Sequence, residues 1–328
     1  MLEIGKVSEN VLKRSVFRQI HTTRPEVLKG AGVGEDCAAL KLAMDELFVL
    51  STDPITGTAQ DIGNLAMHIT LNDLASAGAE PVGVLLTILL PAGSEESQLK
   101  EMMHQMELVC AKEKVQIMGG HTEVTRAVNQ PLISVCGVDK AREGQLVTTD
   151  GAKPGDDLVI TKWVGLEGTS ILAKEKEAEL LARYPAQLIE TAKGFDQYLS
   201  VLPESAVAVT CGVHAMHDVT EGGIFGALWE MAESSGIGLR VDLKQIPIKQ
   251  ETIEVCEFFG INPYELISSG SMLIATPDGN RLVRELEAAG IHAVSVGKAE
   301  QGKNRILFND GECRFLEPPK TDELYRVL

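Results

Sequence analysis

Four aspartates in this 328-residue chain stand beside glycines or at the ends of strand-like runs: Asp36, Asp53, Asp73 and Asp218. Each has an ordinary structural reading, because aspartate before proline or at a helix start serves as a turn or cap residue. Together they fit a shared magnesium site, since magnesium takes hard oxygen ligands and keeps places for water and substrate phosphates. Two glycine pairs, Gly119-Gly120 and Gly222-Gly223, would let backbone amides approach those phosphates. The second pair opens a helical pattern, whose free amides and dipole attract anions. A double glycine alone is a weak signal.

These residues need elements to hold them. The apolar run Leu47 to Leu50 reads as a buried strand that Pro54 stops, leaving Asp53 at its end. Ile62, Leu65, Ala66 and Ile69 then give one face of a helix, and Asp73 falls four residues past Ile69 on the stripe that should pack inward. A carboxylate buried there is costly unless a cation or donor network meets it. Gly78 ends this helix and Pro81 prevents its return. Val82 to Leu90 reads as a fully buried strand, and Ser94 as the cap of a helix with Leu99, Met102, Met106 and Val109 as its core face. VQIMGGHTEV is expected to be a strand that breaks at Gly119-Gly120 and offers His121, Thr122 and Glu123. Farther on, HDVTEGGIFGALWEMAESSG predicts a strand ending near Asp218, a sharp turn and a helix with Thr220 as N-cap and Gly236 as its stop. Strands are expected near 238–242, 271–276, 292–297 and 305–309, with helices near 250–259 and 279–289. Turn chemistry restarts in Val147 to Pro154, which divides the chain into domains 1–151 and 152–328.

Composition narrows the partners. Thirty basic and 47 acidic residues give a net charge of −17, which repels nucleic acid and anionic membranes, so neither is expected as a partner. Six cysteines, at 37, 110, 136, 211, 256 and 313, form no CxxC pair, which argues against a zinc ribbon or a disulfide scaffold. The N-terminal stretch has no apolar signal core, and Val82 to Leu90 is far short of a membrane span, so a cytoplasmic location is expected. Other motifs fail on inspection. The glycines of KGAGVGE precede no helical pattern, and GKAEQGKN has Asn304 where a P-loop needs Ser or Thr. His214 and His217 with Cys211 match no standard zinc spacing, so local hydrogen bonding is the better account of them.

As an ordered set, the segments GEDCAAL (34–40), STDPIT (51–56), NDLASAGAEPVG (72–83), GGHTEV (119–124) and HDVTEGGIFGAL (217–228) resemble the superfamily of aminoimidazole ribonucleotide synthetase, selenophosphate synthetase, thiamine-monophosphate kinase and the hydrogenase maturation factor HypE. The run PIKQETIEVCEFFGINPYELISSGSMLIAT (247–276) is most similar to HypE. The resemblance implies two α+β domains, the first a mixed sheet that pairs into a β-barrel across a homodimer, the second an α/β sandwich on a mixed sheet. It also implies ATP and Mg2+ in a cleft between the domains. By this carry-over Asp36, Asp53 and Asp73 would bind magnesium or phosphate. Asn72, Gly119, Gly120, Thr122, Asp218, Thr220, Glu221, Gly222 and Gly223 would line the nucleotide.

Departures from HypE bear on the reaction. Those enzymes carry a cysteine in a Pro-Arg-Ile-Cys-like tail, where this chain ends Leu324-Tyr325-Arg326-Val327-Leu328. Their Asn-Glu-Gly segment corresponds to Ser268-Ser269-Gly270, and their GGD to GGH, with His121 closer to the selenophosphate synthetase pattern. The expectation is an ATP- and magnesium-dependent phosphoryl-transfer enzyme with Asp73 and His121 as candidate catalytic groups, acting on a small-molecule or protein acceptor. Three alternatives stand beside it: a nucleotide-binding regulator without turnover, a true hydrogenase maturation factor despite the missing cysteine, and a metal-binding module built on His121, His214 and His217.

Overall fold

Val84, Leu86, Ile88 and Leu90 alternate with less buried neighbours along one extended run, which lies at the centre of the first sheet in the computed structural model. The structure describes residues 2, 4–32, 37–56, 61–142, 144–318 and 320–328. Contacts divide the chain into two compact units, residues 1–74 with 79–146, and residues 75–78 with 147–328.

The first part of the chain runs β1 (Gly5–Lys6), α1 (Glu9–Val11), β2 (Val27–Lys29), β3 (Ala39–Leu40), β4 (Glu46–Ile55), α2 (Ile62–Ser76), β5 (Glu80–Pro91), α3 (Glu96–Glu113), β6 (Gln116–Thr125) and β7 (Leu132–Arg142). Five strands form a sheet in the order β1-β6-β5-β7-β4, in which only β5 and β6 are parallel. The methionine stripe of α3 is core as expected, with Leu99, Met102, Met106 and Val109 buried. Its N-cap is Glu95, which shares a capping box with Gln98, whereas the Ser94 hydroxyl donates to the Pro91 carbonyl at 2.8 Å.

Three local expectations are corrected here. Pro54 does not stop its strand: β4 pairs with β7 through Pro54 and Ile55. β4 is an edge strand, and an edge has an unpaired side on which a missing N–H costs nothing. Leu47, Phe48 and Leu50 on that edge are 40%, 55% and 64% exposed, so the run is not buried within one chain. Nor does β6 break at its glycines, since Gly119 pairs with Leu85 and Gly120 with Leu86 just past a register shift. Gly120 has φ +146, and a Cβ there would lie 2.0 Å from the Leu86 carbonyl oxygen. The neighbouring strand's backbone demands glycine at that position.

The second part runs β8 (Asp157–Thr161), α4 (Leu166–Glu175), α5 (Glu177–Leu181), α6 (Ala186–Lys193), α7 (Leu202–Cys211), β9 (Ala215–Asp218), α8 (Gly223–Ser235), β10 (Gly238–Asp242), α9 (Gln250–Phe259), β11 (Met272–Thr276), α10 (Gly279–Ala288), β12 (Ala293–Glu300), β13 (Arg305–Asn309) and β14 (Glu312–Phe315). Its seven-stranded sheet has the order β14-β13-β10-β12-β8-β11-β9, with β10 and β13 the parallel pair. Both faces are covered. Leu158 and Ile160 of β8 pack in a cluster with Ile224, Leu228 and Met231 of α8, while Val159 between them joins Ala208 of α7 and Leu282 and Leu286 of α10. A third cluster joins α4, α6 and α9 to Leu324 near the C-terminus. No helix among the described residues is long and apolar enough to cross a membrane.

Candidate functional site

Ser51 on β4 donates its hydroxyl to Asp73 Oδ2 on α2 at 2.6 Å, which fixes the face of β4 that looks toward the helix. Asp53, two residues on, projects from that same face because strand side chains alternate. Asp73 itself is half-buried, and the deeply buried residue of this turn is Asn72, at 0% exposure. Ile69, one turn before Asp73, is also half-buried, so the stripe they share runs along the flank of α2 instead of its core face. Asp36 lies outside the described residues. Among the described residues no group of three or more His, Cys, Asp or Glu side chains is arranged to hold a metal ion. Two carboxylates on one face suit magnesium, which is commonly held by one or two protein carboxylates with water and phosphate oxygens completing its shell.

His121 is placed differently. One rung of the sheet aligns Asp53, Val135, Leu86 and Gly120, and the next aligns Pro54, Ser134, Thr87 and His121. Adjacent rungs face opposite sides, so His121 points away from α2, where it lies 3.1 Å from Glu123 Oε2. With Thr52, Thr87, Ser134 and Cys136 it lines a cavity of ≈ 370 Å³. Thr122, by contrast, is buried on the α2 side. Within one chain the sheet therefore separates Asp73 from His121, and they do not form one catalytic pair.

In the second unit Asp218 ends β9, and Val219 N–H donates to the Ser271 carbonyl at 3.0 Å. Thr220 is not the N-cap of α8. It contributes its carbonyl to Gly223 N–H, and Gly222, at φ 79, takes the cap position. Gly223 has φ +59, and a Cβ there would meet the Tyr264 carbonyl oxygen at 2.5 Å. That contact excludes larger residues from the turn. Gly222 N–H donates to Asp322 Oδ2 at 2.8 Å, so a carboxylate from the C-terminal segment meets the amide at the start of this helix. Asp322 also accepts from Leu324 N–H at 2.8 Å and from the Ile267 amide, and burial pushes its carboxyl above the usual range. Glu221 is exposed and accepts the Tyr325 hydroxyl, which pushes that phenol up to about 12.

Sequence reasoning passed over Glu167. It is the second residue of α4, 3% exposed, and its Oε2 accepts the Ser269 amide at 3.2 Å. Burial, with Asp322 and Asp218 as charged neighbours, raises its carboxyl to about 7. The available signal was an acid between Gly165 and Gly168 at a helix start. His214 and His217 are each held by a carboxylate, Asp156 and Glu230 respectively, both at 2.9 Å. That is the local hydrogen bonding expected of them.

Comparison with known proteins follows the two units. Residues 34–138 match the N-terminal domain of AIR synthase related proteins, and residues 153–308 match their C-terminal domain. A hydrogenase expression/formation protein of Methanocaldococcus jannaschii is 26% identical over 98% of this chain and 97% of its own. Carbamoyl dehydratase HypE of Cupriavidus necator is 28% identical over 90% of this chain and 86% of its own. The crystal structure of HypE in complex with ATP superposes with a TM-score of 0.83 at 22% identity, covering 99% of this chain and 97% of that one.

Proposed function

Because the chain belongs to the AIR synthase-related family, in which HypE is among its relatives, we propose that it is an ATP- and magnesium-dependent enzyme that phosphorylates an oxygen or amide-like group of an acceptor. The observation that carries this reading is the Ser51–Asp73 hydrogen bond, with Asp53 on the same face of β4 as Ser51, in a chain with both of the family's domains in order. Asp53 and Asp73 would hold magnesium, which neutralises charge on phosphate oxygens when bound. Ser51 orients the Asp73 carboxylate through its hydroxyl. Gly222 and Gly223 keep side chains out of the turn before α8, so its backbone can approach phosphate oxygens. Phosphoryl transfer leaves a protein little covalent work, and positioning with charge neutralisation accounts for most of the rate. The acceptor is a small molecule or a protein.

A homodimer belongs to the same proposal. One face and one edge of the first sheet carry exposed apolar residues, Phe48 at 55% and Leu50 at 64%. A second copy of the chain laid against β4 would cover them and close the sheets toward a barrel.

One observation favours a second reading, a nucleotide-binding regulator without turnover: the Gly222 amide already has an internal carboxylate, Asp322, as its acceptor. Release of ADP from ATP, with and without magnesium and across a panel of candidate acceptors, separates the two. Acceptor-stimulated ADP release supports the enzyme, and ATP binding without any release supports the regulator.

A further inference from the structure

The second unit holds a cavity of ≈ 430 Å³ between β14, the first turn of α8 and the segment leading from β14 toward the C-terminus. That volume lies in the range of ordinary small-ligand sites, about 300–1,000 Å³. Its apolar wall comes from Phe225, Leu307 and Leu316, which are 5%, 2% and 7% exposed. The Phe225 ring stacks on Tyr264 at 5.1 Å with 8° between planes, so it is a fixed surface. The Arg314 guanidinium stands over Phe225, 5.4 Å from the ring centroid.

The charges around this cavity do not cancel pairwise. Lys320 and Glu317 satisfy each other at 2.7 Å. Among the described residues neither Arg314 nor Glu265 makes an ion pair of its own, and both line the cavity. Lys320 also lies within electrostatic reach of Glu265. A ligand with both charges can meet Arg314 and Glu265 together. The Gly222 amide at the cavity's edge donates to Asp322, so it is not assigned to this ligand.

We propose that this cavity binds a small zwitterion of the α-amino-acid class. Its carboxylate lies on Arg314, its ammonium on Glu265, and an apolar side chain packs against Phe225, Leu307 and Leu316. Arginine suits the carboxylate because its planar fork can donate two parallel hydrogen bonds. None of the residues in this assignment takes part in the proposed handling of ATP, so the two can fail independently.

The test is calorimetric titration of the full chain with L-phenylalanine and L-leucine, and with two analogues that each lack one charge, 3-phenylpropanoate and 2-phenylethylamine. Saturable binding of an amino acid is expected, with both analogues weaker by roughly tenfold or more, the usual weight of a charged hydrogen bond. Arg314→Gln and Glu265→Gln should each weaken the amino acid to a similar degree. Arg314 is exposed and Glu265 half-buried, so both variants should keep the wild-type melting temperature and any thermal shift produced by ATP. The proposal is overturned if neither amino acid binds at about 10 mM, if the analogue without an ammonium binds as well as L-phenylalanine, or if either variant keeps full affinity.

Discussion

Glu167 Oε2 accepts the amide hydrogen of Ser269 at 3.2 Å, joining segments 102 residues apart inside the second unit. Burial holds this carboxyl near about 7, against an ordinary value of 4.5. Between those values the folded chain keeps a proton that the unfolded chain has released. The stabilisation from this group is therefore complete below the window and is lost as pH rises through it. Asp139, buried with the Val82 amide at 3.2 Å, is likewise raised by burial from 3.8 to about 7. Glu26 has the opposite sign, lowered from 4.5 to about 2 by hydrogen bonds from Arg24 and then Lys140, and so acts only below the window. The melting temperature should fall from about pH 5 to about pH 7.5, and Glu167→Gln should flatten that slope by on the order of 1–3 kcal/mol across it. A melting temperature that climbs over the same range, in both wild type and variant, would contradict the assignment.

Asp73→Asn preserves size and removes the charge that magnesium needs, and Asp53→Asn does the same on β4. Both variants should stay folded, and both should lose the magnesium-dependent stabilisation by ATP seen in thermal melting. Ser51→Ala removes the 2.6 Å hydrogen bond that orients Asp73 and should weaken the ATP effect severalfold without abolishing it. If the two aspartate variants keep the full ATP and magnesium shift, these carboxylates are not the metal ligands.

Light scattering at micromolar concentration should report about twice 35.3 kDa. Leu50→Asp, on the open edge strand, places a charge where the second copy would pack and should yield a folded monomer. A wild-type protein that elutes as a monomer, with or without ATP, counts against the paired sheets.

What could be read beforehand divides along physical lines. The Met102 and Met106 stripe and the strands near 238–242, 271–276 and 305–309 were legible because period and burial agree within a single element. Pro54 misled because strand position decides its cost: at an edge it is tolerated, and no local pattern says which strand is the edge. Gly119-Gly120 looked like a break, yet the reason for glycine at 120 is the Leu86 carbonyl of the neighbouring strand. Asp73 was placed inward because its helical phase was set from Ile69, a residue on the boundary of the buried face. Burial of Glu167 and Asp322 depends on contacts with segments about a hundred residues away, which no window of sequence contains.

The Gly222 amide and its acceptor, Asp322, are 100 residues apart in the chain. On a ribosome adding about 5 to 20 residues per second, the turn before α8 emerges at least 5 to 20 seconds ahead of the carboxylate that caps it. A nascent chain arrested before Asp322 thus has every residue of the glycine turn but not this internal acceptor.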